Sequence, residues 1–236
     1  GEDNLYLVGG DYEYWTEESS RGANDAVLSV IRTTYNKFHL LTEEQVLREG
    51  TRTTKTIAYN TASGLFPEQP ANLQLPKSIT TCYELVAGGA SREVTLTIET
   101  DDYGNELSRT EPSGVRIDYS YYPIGGESGK CPADPHHLFV RYMKQERLVA
   151  KGGTPADRLT HYTHTRMPPT GASYFVVQQS TSRDGVFGQQ QSYYDTPVPL
   201  LGRLKSTTST IEGHSLVSDV SYTITGDNLV ETRRLK

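Results

Sequence analysis

The chain has 236 residues, of which only 35% are hydrophobic, sixteen tyrosines included, and its formal net charge at pH 7 is -6. So small an aliphatic supply excludes a thick two-layer core and points to a sheet with one wet face or a curved layer, where tyrosine packs its ring and leaves its hydroxyl for water or backbone. Acidic and basic residues are interspersed, so the clustered basic surface of a nucleic-acid binder is missing, and no run approaches the roughly 20 apolar residues that span a bilayer.

Residues 1–26 read as an irregular lead-in that carries Tyr12, Tyr14 and Trp15, the single tryptophan. The chain begins at Gly1 with no leader sequence, which suggests a piece of a longer polypeptide. From residue 27 to 236 the pattern is that of one continuous β region. Val27-Leu-Ser-Val-Ile-Arg-Thr-Thr-Tyr35 alternates and is rich in β-branched residues, as a strand requires. Phe38-His-Leu-Leu41 and Val46-Leu47 lead to a turn at Glu49-Gly50-Thr51 and a return along residues 53–59, which makes a hairpin. Thr42-Glu-Glu-Gln45 also satisfies a capping box, with Gly50 as a stop. That rival helix is too short to hold without tertiary support, so the hairpin is preferred.

The stretch from Ser63 to Pro76 holds three prolines, which cannot donate to a central ladder, and reads as a connection packed along the sheet. A better-marked hairpin follows, from Val94-Thr-Leu-Thr-Ile-Glu-Thr100 through Asp101-Asp-Tyr-Gly-Asn105 to Glu106-Leu-Ser-Arg-Thr110. Gly104-Asn105 supplies the positive backbone torsion of its turn. Pro112-Ser113-Gly114 turns the chain again into Val115-Arg-Ile-Asp-Tyr-Ser-Tyr-Tyr122. Residues 123–137 form the longest irregular insertion. Strand signals resume at 139–143, 158–166, 174–179, 190–195, 203–211 and 216–224. Strands at short spacing with no long helix between them indicate an all-β chain.

Tyrosine marks this pattern at intervals. Tyr35, Tyr59 and Tyr83 are evenly spaced, and related runs recur at Tyr119, Tyr162 and Tyr222. A period between 20 and 50 residues is the signature of stacked supersecondary units.

No constellation of catalytic residues stands out. Gly125-Gly-Glu-Ser-Gly-Lys130 approaches a phosphate-binding loop, but Ile124 and Cys131 replace the glycine and hydroxyl that such a loop needs. His161 and His164 fall on opposite faces of a strand, and His136 and His137 share that problem, so no metal site is expected. The acids of residues 101–106 lack the ligand alternation of a calcium loop and suit a turn instead. Cys82 and Cys131 read as two buried free thiols, with one disulfide as the alternative. No cofactor is expected. Tyr12, Tyr14 and Trp15 could stack on sugar rings, against the simpler reading of packing between hairpins.

Asp102-Tyr103-Gly104-Asn105-x-Leu107, followed after Gly114 by Val115-Arg-Ile-Asp-Tyr119-Ser-Tyr121, resembles a YD repeat of the Rhs family. The wider stretch through Tyr121-Tyr-Pro-Ile-Gly-Gly-Glu-Ser-Gly-Lys-Cys-Pro132 is similar to the Rhs region of the B component of bacterial insecticidal Tc toxin complexes. The similarity covers residues 30 to 225 and is densest from 33 to 142. It implies β-hairpins stacked into a curved sheet, a segment of a hollow shell that encloses a toxic polypeptide and helps deliver it. It further implies a non-enzymatic, secreted chain whose partners are neighbouring repeats of the same polypeptide, toxin-complex subunits and the enclosed cargo. Tyr35, Tyr59, Tyr83, Tyr103, Gly104, Tyr119, Tyr121, Tyr162 and Tyr222 would be its packing positions. The Rhs autoprotease has no counterpart in the sequence. A carbohydrate-binding or adhesin module is the alternative.

Overall fold

A computed structural model describes residues 12–150, 156–168, 174–196, 198–226 and 228–236. The chain divides into two compact units, Gly1–Arg116 and Ile117–Lys236. This departs from the single unit expected over 27–236.

The first unit is an antiparallel meander of β1 (Glu13–Arg21), β2 (Val27–Asn36), β3 (Leu41–Arg48), β4 (Thr51–Tyr59), β5 (Pro76–Leu85), β6 (Ser91–Thr100) and β7 (Glu106–Thr110). Each strand pairs with the next one in sequence. The expected hairpin over 41–59 is present and its helical rival is not. Its turn is the pair Glu49 and Gly50, at φ 49° and 75°, the left-handed geometry that matches strand twist.

Register sorts the side chains of the first unit into two faces. Ile57, Ile79 and Leu96 lie abreast across β4, β5 and β6, while the adjoining row, Thr56, Thr80 and Thr95, faces the other way. Thr80 and Thr95 join hydroxyls at 3.0 Å. Ile57 is buried, together with Phe38 and Leu73 from the connections at one end of these strands. Leu73 belongs to the proline-rich connection, which packs as expected. Its neighbour Asn72 donates to the carbonyl and hydroxyl of Thr100 at 3.2 and 3.0 Å.

β1 corrects the expectation of an irregular lead-in over 1–26; residues 1–11 lie outside the described residues. Eight of its nine residues are exposed. A strand without an apolar face carries no periodic signal, and β1 exists because β2 offers it a ladder.

The second unit contains most of β8 (Arg116–Tyr121), then β9 (Met143–Val149), β10 (Arg158–Arg166), β11 (Val176–Arg183), β12 (Phe187–Tyr193), β13 (Leu204–Ile211), β14 (His214–Thr225) and β15 (Asn228–Leu235). From β9 onward, successive strands again pair antiparallel. The two-residue turn Glu212-Gly213 and the three-residue turn Asp184-Gly185-Val186 repeat the positive torsions of Glu49-Gly50. The longer connections, 122–142, 167–175 and 194–203, alternate with short ones along the chain. Buried Tyr122, Cys131 and Met167 lie in or at the edge of the first two of these, and Val220 on β14. The strand expected at 139–143 starts only at Met143, because residues before it are held in the insertion described below. β15 gave no signal in the sequence, and all eight of its residues are exposed.

Candidate functional site

One local device recurs in three turns. Asn36 Oδ1 accepts the amides of Phe38 and Leu40 at 2.9 and 3.1 Å. Asp101 Oδ1 accepts those of Tyr103 and Asn105 at 2.9 and 2.8 Å. Asp134 Oδ2 accepts those of His136 and Leu138 at 3.2 and 3.1 Å. In each case the amide three residues on, from His39, Gly104 or His137, returns to the backbone carbonyl of the capping residue. His39, Gly104 and His137 have positive φ, 59°, 85° and 55° respectively. A short side chain two atoms from its own backbone can satisfy these amides, which explains Asn or Asp at the first position. The turn at 111–115 keeps the same backbone bonds and positive Gly114, but with Glu111 at its head. At 101–105 only Gly104 takes the positive torsion. Asn105 instead donates its side-chain amide to Asp101 Oδ2 at 2.9 Å.

The Asp134 turn anchors the insertion at 123–137. Asp134 is 1% exposed and forms an ion pair with Arg141. Burial alone would raise its pKa, but the Leu138 amide, the Arg141 guanidinium and the His136 amide together hold it below the usual carboxylate value. Its own amide donates to Ile124 at 2.8 Å, and Lys130 accepts the His164 amide from β10 at 2.8 Å. Glu127 binds Lys130 and Lys144 at 2.5 and 2.6 Å. Gly126 has φ 73°, and a Cβ there would stand 2.5 Å from the Cys131 carbonyl oxygen.

No protein-family model and no curated protein matches this chain.

The tyrosines expected to act together take different roles. Tyr59, at a bulged end of β4, donates its hydroxyl to the Leu41 carbonyl at 2.9 Å. Tyr35 occupies a similar bulged end of β2 and stacks on Tyr14 at 5.2 Å and 17°. Tyr83, although evenly spaced from these two, lies within β5 and is 49% exposed. Tyr103 is exposed at the tip of its turn. Tyr119, Tyr121 and Tyr162 are half-buried in the second unit. Tyr222 meets Tyr194 edge-on at 5.9 Å.

Sequence reasoning missed four hydroxyl clamps. Tyr122 donates to Tyr162 O at 2.8 Å, Tyr174 to Ala133 O at 3.0 Å, Tyr193 to Gln178 O and Tyr194 to Val220 O at 3.1 Å. Three of the four belong to the doublets Tyr121-Tyr122 and Tyr193-Tyr194 at strand ends, a signal the sequence carries.

Trp15 does not join Tyr12 and Tyr14 in one platform. Successive strand residues point to opposite faces, so Tyr14 turns toward Tyr35 and His39 while Trp15 faces away. Tyr12 lies 6.3 Å from Tyr14 and lines a hollow of about 360 Å³ with Asn36, Lys37 and Phe38. Trp15 is 53% exposed, and the Arg32 guanidinium lies 4.4 Å from its ring centre.

The loop that resembled a phosphate cradle has its amides committed inward. Gly126, Glu127, Lys130 and Cys131 donate to Pro123, Cys131, Glu127 and Glu127 carbonyls at 2.8 to 3.0 Å. Lys130 is paired with Glu127. Among the described residues no cluster of three or more His, Cys, Asp or Glu could hold a metal.

Cys82 and Cys131 are both free thiols. Burial, then the nearby Glu127 charge, pushes Cys131 up to about 11, and a protonated thiol is a poor nucleophile. Iodoacetamide at pH 8 will label half-buried Cys82 well before Cys131, as peptide mass spectrometry will read directly. Equal labelling rates would contradict the burial of Cys131.

His164 lies 5.9 and 5.4 Å from the rings of Tyr122 and Tyr142, and its Nδ1 has no hydrogen-bond partner among the described residues. Burial lowers its pKa below 6.5. Near pH 6 the unfolded chain therefore binds more protons at this site than the folded one, so its contribution to stability declines as pH falls below about 6.5. Urea midpoints at pH 7.5 and 5 will differ less in His164→Phe than in wild type.

Proposed function

We propose that this chain is a non-enzymatic wall segment of a secreted, toxin-encapsulating shell of the Rhs/YD-repeat kind. The observation that carries the reading is the recurring turn capped by Asn36, Asp101 and Asp134. One of the three turns overlaps the YD-like motif Asp102-Tyr103-Gly104-Asn105: Asp101, just ahead of the motif, caps it and Gly104 supplies the positive torsion. A hairpin closed by its own side chain can be repeated without a bespoke loop each time, which suits a wall built by repetition. The hydroxyl clamp of Tyr59 closes the β3–β4 hairpin on itself, those of Tyr122 and Tyr194 reach past the next strand to β10 and β14, and none needs a ligand. The proposed partners are adjoining repeats of the same polypeptide, subunits of a toxin complex and the enclosed cargo.

Electron cryomicroscopy of the secreted protein that carries this sequence tests the reading. A closed shell with these hairpins in its wall and polypeptide density inside is the expected image; a β domain standing outside any enclosure overturns it.

Exposed Trp15 favours a second reading, carbohydrate binding, because a half-exposed indole with a guanidinium over its ring can still offer aromatic surface to a sugar. Saturable binding on a glycan array that disappears in Trp15→Ala would establish it. A folded chain that binds no glycan would dismiss it.

A further inference from the structure

We propose that Tyr83 and Arg92 form a binding site for a small aromatic carboxylate, in a hollow of about 460 Å³ on β4, β5 and β6. This goes beyond the shell reading and does not rest on it. The site lies inside the meander of the first unit, with a paired strand on either side of β5. Its volume is within the range of about 300–1,000 Å³ typical of small-ligand pockets.

Register explains why the hollow opens here. Thr53, Tyr83 and Arg92 lie abreast across the three strands, and Leu85 follows Tyr83 on the same face. This is the face that carries Ile57, Ile79 and Leu96. Ile57 is buried, whereas toward the opposite end of the strands Tyr83 and Leu85 are 49% and 54% exposed. Tyr59 spends its hydroxyl on a carbonyl and Tyr35 its ring on Tyr14. Tyr83 makes neither kind of contact among the described residues, so its ring and hydroxyl are both available.

One charge at the hollow is uncompensated. Arg92 stands opposite Tyr83 and forms no ion pair among the described residues. The other charged groups on this face have counterparts: Arg48 lies 3.7 Å from Glu49, and Lys55 stands opposite Glu44. Arg52 and Glu84 also border the hollow, but their register turns them to the other face, where they pair at 3.3 Å. A planar ring laid against Tyr83 and Leu85 removes apolar surface from water. A carboxylate on that ring meets the Arg92 guanidinium, whose fork matches two carboxylate oxygens. The lining is mostly apolar, which suits an aromatic acid better than a sugar with hydroxyls to satisfy on every side.

Naphthoate is the probe, and heteronuclear NMR of the purified chain is the readout. Saturable amide shifts centred on Thr53, Tyr83, Leu85 and Arg92 are expected, with weaker binding of the uncharged naphthamide and none of acetate. Tyr83→Ala should weaken naphthoate roughly tenfold. Arg92→Gln should weaken it about threefold, as for an exposed ion pair, and should abolish the preference for naphthoate over naphthamide. Loss of that preference is a readout that a merely structural arginine would not give. The dispersion of the amide spectrum shows in the same experiment that each variant keeps its fold. A wild type without saturable shifts at these amides overturns the proposal. So does binding that Tyr83→Ala leaves unchanged, or a preference for the anion that survives in Arg92→Gln.

Discussion

Replacing Asp134 with alanine will cost the second unit about 3 kcal/mol, measured as a lowered urea midpoint or as faster amide exchange at His136 and Leu138. The estimate combines two amides bonded to a charged acceptor with an ion pair to Arg141 that is half open to water, so its solvated arginine recovers part of the loss. Asp134→Asn separates the two contributions. Asn36 shows that an amide oxygen caps this turn as well as a carboxylate does. The asparagine variant should therefore keep the turn, lose only the ion pair, and fall roughly midway between alanine and wild type. The carboxylate also sets a pH limit. Because its folded pKa lies below the unfolded value of about 3.9, its stabilisation is present above that value and is lost as pH falls through the folded pKa. Asp134→Asn should flatten this acid limb; an unchanged acid limb would remove Asp134 from it.

Gly126→Ala is expected to be at least as damaging, about 3 kcal/mol or more. Two costs add. A residue with a Cβ is strained at φ 73°. The new methyl would also stand 2.5 Å from the Cys131 carbonyl oxygen and from Pro132 C, and 2.7 Å from Ala133 N. These are backbone atoms, which cannot rotate away as the end of a side chain would. Gly129→Ala provides the control: its φ is also 73°, but a Cβ there meets nothing within 4 Å. The torsional cost alone should appear at Gly129 and the torsional plus steric cost at Gly126. Equal effects at the two positions would show that the insertion shifts to accommodate the methyl.

The sequence made some of this architecture legible for physical reasons that can be named. β2 and β4 were marked by their β-branched content, β6 alternates exposed and half-buried residues because one of its faces meets neighbours and the other water, and Glu49-Gly50 and Gly104 marked their turns through a conformation other residues avoid. β1 and β15 were not legible, since edge strands exposed on both faces have no apolar period to read. The even spacing of Tyr35, Tyr59 and Tyr83 was a weaker guide. The connection at 60–75 is far longer than the turn at 37–40, so equal chain distance brings Tyr83 to mid-strand while its two predecessors stand at bulged strand ends. Asp134 was hidden for a different reason. Its partners, Arg141 and the amides of His136 and Leu138, are close in sequence, but nothing in composition distinguishes a buried aspartate from a solvated one. Trp15 parted from Tyr14 because adjacent residues of a strand face opposite ways, which became decisive once residues 13–21 proved to be a strand.

Within each unit every described strand from β1 to β7 and from β9 to β15 finds its partner in the strand just before or after it. Such contacts close short loops, whose entropy is small and whose formation is fast relative to sheets that wait for distant segments. A chain made this way can acquire order in the direction of its emergence. As residues leave a ribosome or a translocation pore, β3 can dock on β2 before β4 has appeared, and each completed hairpin becomes the template for the next. The growing edge is always the last strand made, so the time during which any one edge stands open is set by the rate of delivery and not by a search through the rest of the chain.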